Sequence, residues 1–136
     1  RKKFKKVLIK SWSQNSINMY TYKAKCIRVI DGDTIDADID LGFDITIRKR
    51  IRLSGIDTPE SRTRDLEEKK RGLASKDRLI EILDMGSLVV ESKDVGKFGR
   101  VLAILHIYPE NLDLPLNVNN TLVKEGYAVE YNGGKR

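Results

Sequence analysis

The chain has 136 residues, 40% of them hydrophobic and 34% charged, the size and balance of one globular domain able to bury its own core. Its apolar runs fall short of the roughly 20 residues a membrane-spanning helix needs, and a single Cys and a single His exclude an internal disulfide, a cysteine cluster and a histidine-rich zinc site. The net charge of +6 invites a nucleic-acid reading, yet Arg1, Lys2, Lys3, Lys5, Lys6 and Lys10 carry all of it: the other 20 Lys and Arg match the 20 Asp and Glu.

Residues 1–18 are expected to be a disordered basic arm or an added segment ahead of Met19, and Val7-Leu8-Ile9 is too short for the apolar stretch of a signal peptide. Residues 19–136 are expected to form one domain with a loose tail from Tyr127 onward. From Tyr20 to Ile30 the pattern is that of a strand whose apolar character crosses faces near Cys26, as a bulge would cause. Asp31-Gly32-Asp33 turns the chain. Strict alternation then puts Ile35, Ala37, Ile39 and Leu41 on one face and Asp36, Asp38 and Asp40 on a solvated one. Gly42 turns it again, and Asp44 to Leu53 places Ile45, Ile47, Ile51 and Leu53 together, completing a three-stranded meander.

Asp65 can cap a helix in which Leu66, Leu73, Leu79, Ile80, Ile82 and Leu83 recur, weakened by Gly72 and ended by Gly86. Strands Ser87–Glu91 and Val101–Tyr108 follow, separated by an Asp94-Val-Gly-Lys-Phe-Gly loop. A short helix over Asn117–Glu125 stops at Gly126. The elements predict an α+β domain, a small closed β-barrel of antiparallel strands with packed helices.

Three clusters lie at strand ends: Asp31-Gly-Asp33-Thr34, the stretch Arg52 to Glu60, and Lys97-Phe-Gly-Arg100. Each alone reads as an ordinary turn or ion pair. Together they hold a different inventory. Asp33, Asp57 and a backbone carbonyl at the Thr58 bend are hard oxygen ligands suited to calcium or magnesium. Asp31 is placed to act on such an ion through water. Glu60 could take a proton from water, while Arg52 and Arg100 match a phosphate and its developing charge. His106 and Cys26 read as structural.

The order Asp-Gly-Asp33-Thr, Arg52 five residues before Asp57-Thr-Pro-Glu60, Lys-Phe-Gly-Arg100 and Val118-Asn-x-x-Leu-Val-x-x-Gly126 closely resembles the staphylococcal nuclease, or thermonuclease-like, family, over about Ala24 to Gly126. The resemblance implies an OB-type barrel and a calcium-dependent nuclease hydrolysing DNA and RNA. It implies Arg52, Glu60 and Arg100 as catalytic, and Asp33, Asp57 and the Thr58 carbonyl on Ca2+. Tyr127 and Tyr131 fall out of register with the family's base-packing tyrosines, so no substrate-binding residues are assigned. The chain is expected to act as a monomer, off the membrane, with no obligate protein partner. The alternatives are an oligonucleotide-binding module of the same fold that does not cut, and a calcium-binding structural domain, which would leave Arg52 and Arg100 without a task.

Overall fold

The computed structural model describes residues 20–95, 100–111 and 113–131. In chain order it contains β1 (Thr21–Asp31), β2 (Thr34–Gly42), β3 (Ile45–Leu53), β4 (Ile56–Asp57), α1 (Leu66–Leu83), β5 (Gly86–Val95), β6 (Val101–Pro109), β7 (Leu116–Asn117), α2 (Val118–Lys124) and β8 (Val129–Glu130). The main sheet runs β3-β2-β1-β5-β6-β7, and a parallel pairing of β3 with β6 closes it into a five-stranded barrel. With the two helices among the described residues this is the expected OB-type α+β fold. The closing strands are the exception to the antiparallel expectation: Ile51, Arg52 and Leu53 register with Val101, Leu102 and Ala103. The basic arm and the Lys97-Phe-Gly segment lie outside the described residues.

The barrel interior is what the alternation predicts. Ile35, Ala37, Ile51, Val90, Ala103, Leu105 and Ile107 are fully buried, and α1 and α2 add Leu79, Ile82, Val118 and Leu122. The face switch near Cys26 is a register shift between Cys26 and Arg28 against β2. The inward row fails at its far end, however. Leu41, Ile45 and Ile47 are substantially exposed and Phe43 is almost wholly so, because the β2–β3 hairpin extends past the rim of the barrel, where no element covers it among the described residues.

Helix α1 begins as expected: the Asp65 carboxylate accepts from the Glu67 and Glu68 backbone N–H groups at 3.0 and 3.2 Å. Its buried face is Gly72, Ser75, Leu79 and Ile82, a helical spacing, while Leu66, Leu73 and Ile80 are exposed. Two of those four are small because the helix comes so close to the bends beneath it. A Cβ on Gly72 would lie 2.4 Å from the Glu60 carbonyl oxygen, and one on Gly32 would lie 2.7 Å from Ser75 Cβ. Gly72 is therefore a contact requirement rather than a weak point. Gly86 is likewise no helix cap, since α1 ends through Asp84 in right-handed geometry; Gly86 opens β5, where a Cβ would meet the Tyr108 carbonyl oxygen at 2.1 Å.

The strand read as Ser87–Glu91 runs on to Val95, with an irregularity between Ser92 and Asp94. Residues 127–131 also depart from expectation: they are docked. β8 pairs with β4, Ala128 is buried in the core, and Tyr131 N donates to Gly55 O at 2.9 Å. Helix α2 is held from inside by Asn119, which is buried. Its Nδ2 donates to Ser54 O at 2.8 Å and Ala103 O at 3.2 Å, and its Oδ1 accepts from Leu105 N at 3.1 Å.

Candidate active site

Asp33 closes the β1–β2 turn and is buried. Burying a carboxylate is costly unless its oxygens are satisfied, and here they are. Oδ1 accepts from Thr34 Oγ1 at 2.9 Å, and Oδ2 accepts from Thr58 N at 3.1 Å. Arg52 Nη1 lies 3.3 Å from the same Oδ2. The bend after β4 and the end of β3 are thus tied to the turn after β1 by a carboxylate, a backbone N–H and a guanidinium.

Arg52 is held from several sides. Nη1 donates to the Leu53 and Ile56 carbonyls at 3.0 and 2.9 Å, and Nη2 donates to Asp57 Oδ1 at 3.2 Å. Its side chain is 14% exposed, so it bridges Asp33 and Asp57 in a partly desolvated setting where charge interactions are stronger than in water. Arg100 reaches the same place through barrel closure. A cleft of about 440 Å³ is lined by Arg52, Arg100, Leu102 and Tyr131 together with the Ser54–Ile56 turn.

Glu60 stands apart from these contacts, with an exposed side chain, and its fixed part is its backbone. Glu60 N donates to Glu68 Oε2 at 3.1 Å, and the close approach of Gly72 backs the Glu60–Ser61 peptide. Asp31 contributes here. Its Oδ1 accepts from Ser61 N at 3.3 Å and from Ser61 Oγ, so it clamps the residue beside Glu60. Ser61, Glu68, Gly72 and Asn119 support the site and were not legible as such in the sequence. Their roles come from contacts between segments far apart in the chain. Gly72, a helix-breaking residue in mid-helix, and Asn119, part of the Val-Asn-x-x-Leu-Val motif, carried signals that could have been followed.

The structure thus brings Asp33, Arg52, Asp57 and Thr58 into one contact set and puts Arg100 on the cleft beside it, while the exposed Glu60 is not among the residues that line that cleft. Among the described residues no group of three or more His, Cys, Asp and Glu could hold a metal ion. Asp33, Asp57 and the Thr58 carbonyl are hard oxygen donors that could hold a cation only if water or substrate oxygens completed its shell. Thr58 Oγ1 at that bend is buried and without a hydrogen-bond partner among the described residues.

A second ionic system lies on the outer face of the barrel. Arg50 donates from Nε and Nη2 to Asp36 at 2.9 and 3.2 Å, Arg28 Nε reaches the same carboxylate at 2.9 Å, and Arg48 forks onto Asp38 at 2.8 and 3.2 Å. Hydrogen bonding from Arg50, aided by Arg28, lowers the Asp36 pKa to about 2. Of the three aspartates expected on a merely solvated face, Asp36 and Asp38 are rungs of this ladder, while Asp40 accepts from Gly42 N at 2.8 Å. His106 Nε2 is 2.9 Å from Glu91 Oε1 on β5, a strand-to-strand contact away from the cleft residues.

A family model described as staphylococcal nuclease homologue matches residues 50–136. Among curated proteins, the chain is 31% identical over 113 residues to a protein of Shigella flexneri named micrococcal nuclease, covering 81% of this chain and 59% of that one. It is 31% identical over 115 residues to a protein of Escherichia coli named ParB, covering 80% of this chain and 57% of that one. An uncharacterized protein of Methanocaldococcus jannaschii is 29% identical, covering 89% of this chain and 67% of its own. The chain therefore spans less than three-fifths of the length of the first two relatives.

Proposed function

The chain belongs to the family of staphylococcal nuclease homologues, and from that premise and the cleft we propose that it is a calcium-dependent nuclease, hydrolysing phosphodiester bonds of DNA and RNA with little sequence specificity. The observation that carries this reading is Arg52 bridging Asp33 and Asp57 at 3.3 and 3.2 Å beside a cleft that Arg100 also lines. A binding module would need the cations but not a paired carboxylate system, and a calcium-binding structural domain would not need the arginines.

Asp33, Asp57 and the Thr58 carbonyl would hold Ca2+, which would supply positive charge against the phosphate. Arg52 and Arg100 donate to the phosphoryl oxygens and stabilise the charge that grows on them as phosphorus becomes five-coordinate. Glu60 takes the proton of a water whose oxygen attacks phosphorus; the P–O bond to the leaving sugar oxygen breaks, and that oxygen is protonated from solvent. Exposure of the Glu60 side chain on a braced backbone supports this role, since the carboxylate is open to water. Contacts confined to phosphate carry little sequence information, hence the broad substrate range.

The test is cleavage of single-stranded DNA and of RNA by the wild-type chain and Glu60→Gln in a calcium titration. Glu60→Gln is expected to lower turnover by about 10²–10⁴-fold, the usual worth of a general base, with oligonucleotide binding retained, and chelation is expected to abolish cleavage. Full-rate cleavage by Glu60→Gln would remove Glu60 as base. Binding without any cleavage by wild type would favour the binding module.

A further inference from the structure

On β3, Ile51 and Leu53 are buried in the barrel, so the alternate residues Arg52, Arg50 and Arg48 share its outer face. The β2–β3 register is uninterrupted over this span, from Thr34 opposite Arg52 through Asp36 opposite Arg50 to Asp38 opposite Arg48. The arginine at the cleft is therefore the first of a straight row, with guanidinium-bearing positions about 7 Å apart. β1 adds Arg28 opposite Asp36 and Lys25 opposite Asp38. The bulge between Cys26 and Arg28 is what sets Arg28 against Asp36 on this face. Each rung, Arg28-Asp36-Arg50 and Lys25-Asp38-Arg48, carries a net charge of one positive unit.

The aspartates do not cancel this row. Arg50 and Arg48 each use Nε and Nη2 on their carboxylates, which leaves Nη1 outside those forks, and their side chains are 45% and 64% exposed. A guanidinium already fixed by a carboxylate loses less rotamer freedom when it meets a phosphate. A net-positive, outward-facing row that continues from a phosphate site fits a polyanionic strand, whose backbone repeats charge along its length.

We propose that Arg50 and Arg48, with Arg28 and Lys25 beside them, form a track that holds the backbone of a nucleic-acid strand leaving the cleft at Arg52. This rests on the cleft being the phosphodiester site and adds a substrate-length preference to it. A dinucleotide, with one phosphodiester, occupies the cleft alone. A longer strand reaches the row as well, so the track lowers KM for polymers and leaves the chemistry of each cut unchanged.

The experiment compares wild type, Arg48→Gln/Arg50→Gln and Arg48→Lys/Arg50→Lys. Binding of a fluorescent phosphorothioate dodecanucleotide, which keeps its backbone charge and resists cleavage, is followed by anisotropy across a salt series, and dinucleotide turnover is measured in calcium. The Gln variant is expected to bind the dodecanucleotide about tenfold more weakly, with the salt slope reduced by roughly 1 to 2, at wild-type dinucleotide turnover; the Lys variant is expected to keep the slope. An unchanged slope in the Gln variant overturns the track. So does an equal loss on dinucleotide and dodecanucleotide, which would make the row a support for Arg52 alone. Should wild type leave the dinucleotide intact, the nuclease reading falls separately, and the dodecanucleotide slope still decides whether the row binds a strand.

Discussion

Gly72 shows how one atom can couple stability to the candidate site. A methyl group there would sit 2.4 Å from the Glu60 carbonyl oxygen and 2.7 Å from Ser61 N, both backbone atoms that cannot rotate away. Relief requires α1 or the Glu60 bend to shift. Gly72→Ala, which in an exposed helix would stabilise by up to about 1 kcal/mol, is expected here to cost about 1–3 kcal/mol by overpacking and to lower turnover through displacement of Glu60. Urea unfolding and the cleavage assay together check this; a more stable and fully active variant would show that the helix can move off the bend freely. Asp31 and Ser61 act at the same scale, clamping the neighbouring residue by hydrogen bonds from both the backbone and the hydroxyl of Ser61.

At the scale of elements, the three outer strands are joined by charge as well as by backbone pairing. Arg50 and Arg28 lower the Asp36 pKa to about 2, below the ordinary value of about 3.9. Between those values the unfolded chain binds more protons at this residue than the folded one, so stability rises with pH across the window. The contribution of Asp36 is present above about pH 4 and lost as pH falls through about 2. Asp36→Asn is expected to unfold at a lower urea midpoint than wild type at neutral pH, and the gap should narrow between pH 4 and 2. A gap that does not change with pH would place the effect of the substitution in packing. The carboxylate of Glu91, held low by Lys93 and then by His106, joins β5 to β6 in the same way.

For the whole molecule, closure is the event that makes a site. Arg52 and Leu102 become neighbours only when β3 pairs in parallel with β6, which brings Arg100, two residues from Leu102, to the cleft. Residues 127–131 then seal the lower edge: β8 pairs with the strand that carries Asp57, and Tyr131 lines the cleft. A chain ending at Gly126 is expected to lose about 2–3 kcal/mol, from the buried Ala128 and the lost backbone hydrogen bonds. Its cleavage should fall with the freed Asp57 edge, as thermal melting and activity would report. Wild-type melting and rate in that truncation would return the segment to the status of a loose tail.

The alternation of apolar residues determined the meander, the inward rows and the two helices, because burial on a period of two or 3.6 is a local property written in consecutive residues. The order of Asp33, Arg52, Asp57, Glu60 and Arg100 likewise stood in the sequence and pointed to phosphate chemistry. Other features were beyond its reach. The exposure of Ile45 and Ile47 depends on where the barrel rim falls, and the need for Gly72 and Gly86 depends on which backbone passes beneath them. The docking of residues 127–131 depends on β4 offering a free edge. Tertiary structure alone decided that Asp36 and Asp38 are held by Arg28, Arg48 and Arg50, and that Arg28 on β1 stands beside the row that alternation gives β3. Such contacts depend on strand register, which decides which side chains meet across the sheet.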